Sequence, residues 1–385
     1  MNVDVAILGA GASGLCCAIA CGRRKRSVLV IDHGRKAARK VLASGGGRAN
    51  CTNIDISPAD YVCANPHFVK SALARLSSWE FLDWIHTGGV ATREEDNGKH
   101  FCVNGALSLV RFLTAQAQAV GAQMRLGATI AAARKDGDVF VIDTDAGPVR
   151  AASLVLALGG KSWPGLGATD FGYALARSFG LGITPLLPGL TPLLAGPDLA
   201  DLCRDLSGVS LPVRLSGPCE AAGSLLFTHK GVSGPAVLDA SLFWRQGPLA
   251  IDFLPGIDLE ALLAETPRLE IKNALARVLP KRLASAVSDK LGLTGPVAGL
   301  SPKARQELAK RLAAFPFTPA KAEGFAKAEV TIGGVATASV SSKTMEVASV
   351  PGLYVVGELL DVTGRLGGYN LHWAYASGFA AGEYA

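Results

Sequence analysis

The first 32 residues contain two short apolar runs, one on either side of a glycine-rich segment. Residues 3–8 and 28–31 are almost wholly apolar, which is typical of buried parallel strands. Between them lie residues 9–14 (GAGASG) and small residues of helical character at 15–20, and the second run ends on Asp32. The pattern predicts a strand, a glycine-rich turn, a helix, a second strand and a carboxylate, in that order.

Later segments alternate between helical and extended periods. Hydrophobic residues recur at helical spacing in residues 66–86 and 105–120, so we predict one amphipathic helix in each segment. Short alternating runs at 124–150 surround an Asp-Gly-Asp turn at 136–138 and predict a β-meander. Residues 152–158 are fully apolar and end in Gly159 and Gly160, so we expect a central parallel strand whose carboxyl end lies near a ligand.

The periodicity of the hydrophobic residues changes again on either side of the chain's middle third. A proline-dense crossing at 184–192 leads into short β-type runs up to about residue 255, and helices are predicted at 258–265, 269–290 and 302–314. Strand-and-glycine character returns after residue 328, and a small-residue helix runs from His372 to the end. We therefore expect a domain built from residues 1–189 and 325–385, interrupted by a β-rich part at 190–255 and a helical part at 256–324.

The opening segment has the residues that a dinucleotide-binding βαβ unit requires. Gly9 allows a sharp turn out of the strand, Gly11 lets backbone approach a pyrophosphate, and Gly14 lets the helix lie close to the sheet. The helix would offer the N–H groups around Ala12 and Ser13, with the positive end of its dipole, to phosphates. Asp32, eighteen residues after Gly14, is placed to accept ribose hydroxyls.

A second glycine-rich segment follows at residues 44–53. Ser44 precedes three consecutive glycines, Gly45, Gly46 and Gly47, and Arg48 and Asn50 supply hydrogen-bond donors beside them. Three glycines contribute nothing to a core, but they let backbone fold tightly against a flat ligand or a phosphate. The alternative interpretation is a merely flexible loop.

A third constellation lies over 300 residues downstream. There a predicted strand is followed by an acid-and-glycine turn and a helix start, with the candidate cofactor residues Gly357, Glu358, Asp361, Gly368, Tyr369, Asn370 and Leu371. Two distant cradles suit FAD, since its adenosine and pyrophosphate would lie at the first βαβ unit and its isoalloxazine at the second site. The N–H groups near Asn370 and Leu371 would face the pyrimidine edge, and Glu358 or Asp361 would take ribityl hydroxyls. No second strand–GxGxxG–helix unit is present, so NAD(P)H is expected only as a transient co-substrate.

Composition narrows the remaining classes. The eight cysteines form no CxxC pair and no spacing typical of a metal site, so we expect no metal centre and reduced thiols in a cytoplasmic protein. Residues 5–22 are uncharged and precede a basic run at 23–26, which would also suit a membrane anchor. Recurrent glycines and the early Asp4 favour the nucleotide fold instead, and we expect no membrane attachment.

The motifs together resemble one flavoprotein family. They are GAGASG (9–14), ASGGGRANCTN (43–53), LALGGKSWPGLGATDFGYA (156–174), FTHKGVSGPA (227–236), TIGGVA (331–336), KTMEV (343–347) and GELLDVTGRLGGYNLHWAYASG (357–378). The chain is similar to the bacterial NAD(P)/FAD-dependent oxidoreductases that include L-aminoacetone oxidase and the bile-acid reductase BaiN. The resemblance implies a Rossmann-like FAD-binding α/β domain interrupted by an insert with a barrel-like β-rich part and a small helical part. It also implies FAD contacts at ten matching positions, which are Gly9, Gly11, Gly14, Asp32, Arg48, Asn50, Gly357, Asp361, Asn370 and Leu371.

Four residues are candidates for the chemical step. His229 and Lys230 lie in a Gly/Ser/Pro-rich loop of the predicted insert, and Tyr369 and His372 lie beside the presumed flavin cradle. We consider all four as candidates for the substrate side of the flavin. A structural loop histidine is an equally good account of His229.

The sequence thus predicts a FAD-dependent oxidoreductase that moves a hydride through flavin N5 to or from a small organic substrate. Its electron partner would be NAD(P)H or O2. Two alternatives remain: a flavoprotein that acts on or binds nucleic acid through its basic helical insert, and a non-catalytic dinucleotide-binding sensor. Because the net charge is a modest +6 and no aromatic residues interleave the basic ones, we expect no stable nucleic-acid partner. The oligomeric state is left open.

Overall fold

A computed structural model describes residues 1–385, which divide into two compact units. The first unit contains Met1–Leu187 and Glu329–Ala385, and the second unit contains Pro188–Ala328. Each unit has its own hydrophobic core. No helix has the length and apolar character needed to cross a membrane.

Strands and helices are numbered in chain order. The elements up to the second unit are β1 (Asn2–Leu8), α1 (Ala12–Arg23), β2 (Val28–Asp32), α2 (Arg39–Ala43), β3 (Asn50–Asn53), β4 (Tyr61–Val62), α3 (Lys70–Arg75), α4 (Ser78–Thr87), β5 (Thr92–Glu95), β6 (Lys99–Cys102), α5 (Ala106–Ala119), β7 (Gln123–Leu126), β8 (Ile130–Asp136), β9 (Val139–Thr144), β10 (Val149–Leu156) and α6 (Phe171–Ser178). Next come β11 (Leu187–Gly189), β12 (Leu193–Ala195), α7 (Pro197–Asp205), β13 (Ser210–Ser216), β14 (Ala221–Thr228), β15 (Gly231–Ser233), α8 (Pro235–Phe243), β16 (Leu249–Asp252), α9 (Leu259–Ala264), α10 (Ile271–Leu275), α11 (Lys281–Lys290), α12 (Pro302–Ala313), β17 (Phe315–Phe317) and β18 (Pro319–Ala322). The chain ends with β19 (Val330–Ile332), β20 (Leu353–Val355), β21 (Thr363–Gly364) and α13 (Tyr369–Gly382).

The first unit is built on a seven-stranded sheet. Its order is β7-β2-β1-β10-β9-β8, and β20 also pairs with β10. Strands β7, β2, β1, β10 and β20 are mutually parallel, whereas β9 and β8 continue the sheet antiparallel as the predicted meander. Residues 5–8 of β1 are fully buried, as an apolar strand covered on both faces requires. The predicted Rossmann-like α/β class is confirmed.

The carboxyl-terminal helix completes this unit by packing on the first helix. Residues 12–22 of α1 are all buried, and the small residues of α13 between Ala374 and Gly382 are buried as well. A Cβ added at Gly378 would overlap the carbonyl oxygen of Ser13, and one at Gly382 would lie 2.6 Å from that of Cys17. The two backbones therefore cross at close range because glycine occupies the crossing points.

The second unit is organised around an antiparallel sheet of seven strands. Its order is β17-β16-β13-β14-β15-β12-β18, the barrel-like part that the fold prediction included. Strand β13 alternates exposed and buried residues along its length, so one face packs on a core. That core also takes in apolar residues of α9, α10, α11 and α12, including Leu263, Leu275, Val287 and Leu312.

Several predicted helices are divided or were missed. The segment at 66–86 forms α3 and α4, because Ser77 starts a new helix through a capping box with Glu80. The segment at 269–290 forms α10 and α11, with Pro280 directly before α11. Helices α7 and α8 interrupt the expected β-rich region, and each begins with proline at its first position. That proline signal was present in the sequence.

Candidate functional site

The glycine-rich turn after β1 brings three elements of the first unit together. Gly9 has a φ of 109°, in the left-handed region, and a Cβ there would overlap the carbonyl oxygen of Ala157 after β10. A Cβ at Gly14 would overlap the carbonyl oxygen of Gly9. The start of α1 is thus held directly above the carboxyl ends of β1 and β10, where doubly wound sheets bind ligands.

The first turn of α1 leaves its amide groups available. Gly11 caps the helix without any side-chain hydrogen bond, and the first intrahelical bond runs from the Leu15 N–H to the Gly11 carbonyl. The N–H groups of residues 12–14 therefore have no partner within the helix. A Cβ at Gly11 would meet no atom within 4 Å, so open space lies over this turn. Such a turn suits a phosphate group.

Asp32 stands at the carboxyl end of β2 with its carboxylate already oriented. Oδ2 accepts the Ala10 N–H at 2.8 Å, and Oδ1 accepts the Gly34 N–H at 2.6 Å. The Arg39 guanidinium lies 3.4 Å from Oδ1. An ionised carboxylate has about four acceptor positions, so Asp32 retains capacity for ribose hydroxyls.

The loop at residues 44–50 folds back tightly on itself. The φ angles of Gly45, Gly46 and Gly47 are 57°, 66° and 85°, a left-handed run that favours glycine. Ser44 donates to the Val41 carbonyl at 2.8 Å. A Cβ at Gly46 would meet nothing within 4 Å, so this backbone faces open space, as a cradle for a flat ring would.

Asn50 provides a direct test of whether a ligand fits here. Its side-chain oxygen is buried and has no hydrogen-bond partner in the protein. Leaving a buried acceptor unsatisfied costs about 1–3 kcal/mol. A donor from a bound cofactor would remove that cost, so the residue fits the expected FAD.

Arg48, by contrast, is engaged with its own surroundings. Its guanidinium bonds Glu95 at 2.6 Å and lies 4.2 Å from the centre of the Phe101 ring. The side chain is more than half exposed. A cofactor contact by this side chain would therefore compete with the ion pair.

The carboxyl-terminal segment meets both earlier glycine-rich segments. A Cβ at Gly357 would lie 2.7 Å from the Ser13 hydroxyl oxygen at the start of α1. At Gly368 a Cβ would collide with the backbone of Thr52, which follows the 44–50 loop. The structure thus brings together, within the first unit, three segments that lie up to about 350 residues apart in sequence.

Helix α13 provides the second helix start at the candidate site. Gly368 caps it without a side-chain bond, and the first intrahelical bond runs from the His372 N–H to the Gly368 carbonyl. The Asn370 side chain is occupied, since it accepts from the Gly364 N–H and donates to the Gly364 carbonyl, both at 2.8 Å. What this turn offers a ligand is therefore the backbone N–H of Asn370 and Leu371.

Tyr369 begins α13 and is partly exposed. Its carbonyl accepts the Tyr61 hydroxyl at 3.0 Å, and the two rings meet edge to face with centres 6.3 Å apart. These contacts fix the backbone at the helix start, and a role of the Tyr369 ring toward the flavin or the substrate remains a prediction.

Glu358 belongs to a polar network that sequence reasoning missed. The Lys40 ammonium lies 2.7 Å from one carboxylate oxygen and also donates to Ser162 at 2.9 Å. The other oxygen accepts the Thr331 N–H at 2.9 Å and the Ser162 hydroxyl at 3.2 Å. Lys40 is 318 positions from Glu358, so no local pattern could have paired them.

The two glycines that follow β10 differ in their distance from the Glu358 carboxylate. A Cβ at Gly160 would lie 2.6 Å from the Glu358 carboxylate, whereas one at Gly159 would meet nothing closer than 4.0 Å. Burial raises the pKa of the Asp361 carboxyl. Gly160 therefore leaves room for the Glu358 carboxylate. Asp361, three residues after Glu358, is a half-buried acid.

His372 is fully buried and bonded through both ring nitrogens. Nδ1 lies 2.9 Å from the Thr52 hydroxyl, and Nε2 lies 2.8 Å from the Leu76 carbonyl oxygen. Because a carbonyl only accepts, Nε2 carries the proton and Nδ1 accepts from Thr52. Burial lowers the pKa of this imidazole to about 4. These contacts assign His372 a structural role rather than the catalytic one expected.

His229 and Lys230 form the turn between β14 and β15 in the second unit. The Lys230 carbonyl accepts the Ala195 N–H at 2.9 Å, and its ammonium lies 3.8 Å from Glu323. Their catalytic role remains a prediction.

Comparison with known proteins identifies the family. The model described as the HI0933-like protein Rossmann domain matches residues 3–384. The chain belongs to this family. Two relatives named ribosomal RNA dihydrouridine synthase are 41% identical over 99% of this chain and 97% of the Escherichia coli protein, and 40% identical over 97% of this chain and 96% of the Haemophilus influenzae protein. A 3-dehydro-bile acid delta(4,6)-reductase of Clostridium scindens is 29% identical over 99% of this chain and 98% of that protein.

Solved structures agree with the fold. An open conformation of a flavocytochrome c3 fumarate reductase matches 99% of this chain and 78% of that chain, with a TM-score of 0.52 at 16% identity. The predicted resemblance and the expectation of a FAD-dependent oxidoreductase are confirmed at the level of this HI0933-like family.

One expectation is wrong. A small organic substrate without a nucleic-acid partner was expected, but the relatives at 41% and 40% identity are named for an activity on ribosomal RNA. Modest net charge and the lack of interleaved aromatics misled the prediction, because phosphate contacts require cations on one surface rather than throughout the chain.

Proposed function

We propose that this protein is a flavin-dependent enzyme that reduces a uridine of ribosomal RNA to dihydrouridine. The observation that carries the proposal is end-to-end similarity, at 40% identity or more, to two proteins with that name. The glycine-rich cradle of the first unit supports the flavin part, since its open turns and the unsatisfied Asn50 oxygen suit a bound cofactor.

FAD would be held by residues of the first unit in three places. Asp32 would accept adenosine ribose hydroxyls, and the free N–H groups at the start of α1 would bind the pyrophosphate. The glycine loop with Asn50 would support the ring system, and the N–H groups of Asn370 and Leu371 would face its pyrimidine edge. When bound and reduced, FAD supplies a hydride to an electron-poor carbon.

The polar network around Glu358 would position this cradle. Lys40 precedes the glycine loop, Ser162 follows β10, and Glu358 lies in the carboxyl-terminal segment, so one ion pair ties together the three chain segments. We propose that Glu358 acts through these neighbours and that ribityl hydroxyls are left to Asp361.

The reaction needs a reductant. Converting uridine to dihydrouridine removes one carbon–carbon π bond and adds a hydride and a proton, which NAD(P)H and a proton would supply to give NAD(P)⁺. With no second dinucleotide fingerprint in the chain, the nicotinamide would dock only for the hydride transfer. Tyr369, His229 and Lys230 remain candidates for contact with substrate, whereas His372 does not.

Complementation tests the proposal. The chain is expressed in Escherichia coli lacking its own ribosomal RNA dihydrouridine synthase, and the purified ribosomal RNA is digested and analysed for dihydrouridine by mass spectrometry. We expect the wild-type chain to restore the nucleoside. Asp32→Ala should lower both flavin content and restoration, because it removes the ribose acceptor.

A second measurement examines the electron donor. Under anaerobic conditions NADH or NADPH should bleach the bound flavin, and added ribosomal RNA lacking the modification should restore its colour. Ribosomal RNA without dihydrouridine, in cells that accumulate the protein with its flavin, would contradict the proposed function.

A further inference from the structure

The helical segment of the second unit carries an excess of basic residues. Residues 258–314 contain ten Lys and Arg against six Asp and Glu. These basic residues are spread over several short helices and do not form a continuous run. Whether they can bind a ligand therefore depends on which of their side chains are exposed.

Helices α10 and α11 bury one face and expose the other. Ile271, Ala274 and Leu275 of α10 are buried, as are Leu283, Ala284 and Val287 of α11. These residues belong to the core of the second unit. The polar residues of segment 268–281 are all exposed, and we call this part of the surface the basic face; its one acidic residue is Glu270.

Four cations occupy that face and are not used by the fold. Arg268, Lys272, Arg277 and Lys281 are exposed, and none of them makes a side-chain hydrogen bond or an ion pair. The adjacent Arg282 differs, because its guanidinium bonds the backbone carbonyls of Asp205 and Ser207. Arg282 thus has a structural role, whereas the other four basic side chains are left available to a ligand.

The basic run of the first unit has no such free set. Arg24 donates to the carbonyls of the chain's last helical turn and terminus, and Arg26 pairs with Asp4. Arg23 lies over the Trp84 ring at 5.5 Å. Three of its four cations therefore serve the fold, unlike Arg268, Lys272, Arg277 and Lys281 of the second unit.

We propose that the face formed by Arg268, Lys272, Arg277 and Lys281 binds the phosphate backbone of the RNA substrate. The inference rests on the proposed function for the identity of the partner. Four unpaired cations on about fourteen residues of chain suit a polyanion, and binding would release its counterions. Since no aromatic side chain lies among them, this face would position RNA rather than recognise bases.

The test compares two triple variants of the full-length holoenzyme. Lys272→Glu/Arg277→Glu/Lys281→Glu alters the proposed face, and Lys70→Glu/Arg111→Glu/Arg177→Glu makes the same charge change at exposed, unpaired cations of the first unit. Arg282 is left unchanged because it bonds backbone. Binding of labelled ribosomal RNA, and of an unrelated RNA of equal length, is measured between 50 and 200 mM salt.

We expect the first variant to weaken binding roughly tenfold or more and to reduce the slope of log K against log salt by about three. Both RNAs should be affected alike, because phosphate contacts carry no sequence information. Flavin content and bleaching of the flavin by NAD(P)H should stay at the wild-type level, which excludes misfolding.

An unchanged salt slope in the first variant, or an equal loss in the control variant, overturns the proposal. The outcome is separable from that of the proposed function. If the wild-type chain restores no dihydrouridine but binds RNA through this face, the activity is wrong and the surface stands. If dihydrouridine is restored while the first variant keeps its salt slope, the activity stands and the surface is wrong.

Discussion

At the scale of single residues, the candidate cradle contains two kinds of polar group. Some side chains have their hydrogen bonds satisfied within the protein, and other groups have no hydrogen-bond partner there. His372, Asn370 and Glu358 use their polar atoms within the protein. The Asn50 side-chain oxygen has no such partner, and the amides of residues 12–14 and of Asn370 and Leu371 have none within their helices. The open groups are mostly backbone, so the shape of the chain, more than any one side chain, would recognise the cofactor.

The buried His372 should make the free energy of unfolding depend on pH. Burial lowers its pKa to about 4 from an ordinary 6.5, so the unfolded state takes up the proton first as pH falls. The contribution of neutral His372 to stability is complete above pH 6.5 and is lost between pH 6.5 and 4. The shift corresponds to roughly 3 kcal/mol.

Replacing His372 with glutamine should remove that part of the pH dependence. Urea unfolding of the wild type and of His372→Gln at several pH values between 4 and 7 measures it, with the exposed His33→Gln as control. A wild-type decline in stability that persists unchanged in His372→Gln would assign the proton uptake to another group.

At the scale of elements, the crossing of α1 and α13 joins the two ends of the chain. Gly378 lies against the Ser13 carbonyl, and Gly382 lies against Cys17 and Ala20. Ser13 also stands next to Gly357 at the start of the carboxyl-terminal cradle. The same close approach therefore supports the fold and aligns two glycine-rich segments.

Gly378→Ala tests this close approach. Alanine is favoured over glycine in helix interiors by up to about 1 kcal/mol, but here its Cβ would overlap backbone. We expect a net loss of about 1–3 kcal/mol in unfolding free energy and weaker flavin retention. Gly299→Ala, where a Cβ meets nothing within 4 Å, is the matched control and should change stability by less than about 1 kcal/mol. Equal effects of the two variants would show that the crossing is not tight.

At the scale of the whole molecule, one continuous segment leaves the first unit and returns to it. The first unit is made of Met1–Leu187 and Glu329–Ala385, so its sheet needs both ends of the chain. Residues 188–328 have their own core and their own seven-stranded sheet. We propose that the first unit binds FAD and that the second unit binds the substrate.

A fragment containing residues 188–328 should therefore fold by itself. Its size and separate core are those of an ordinary domain. We expect a helix-and-strand circular dichroism spectrum and a single cooperative thermal transition without flavin. A fragment that is unstructured at 25 °C would show that the second unit depends on the first.

Local chemistry made part of this protein predictable from its sequence. The βαβ unit, the carboxylate Asp32 and the glycine loop at 44–50 follow from neighbouring residues, because strand period, helix start and backbone freedom are properties of short segments. The Rossmann-like class and the flavin followed from those patterns and the family resemblance. The expectation that no nucleic acid is involved disagrees with the names of two relatives, since total charge does not report which cations are exposed and unpaired.

Tertiary structure decided the rest, because it alone brings distant residues into contact. Lys40 and Glu358 pair across 318 positions, and His372 became structural once Thr52 and Leu76 bonded both its nitrogens. Burial and pairing, not sequence pattern, determine whether a polar side chain is free for a ligand. The same rule distinguishes Arg282, bound to backbone, from the unpaired Lys281 beside it.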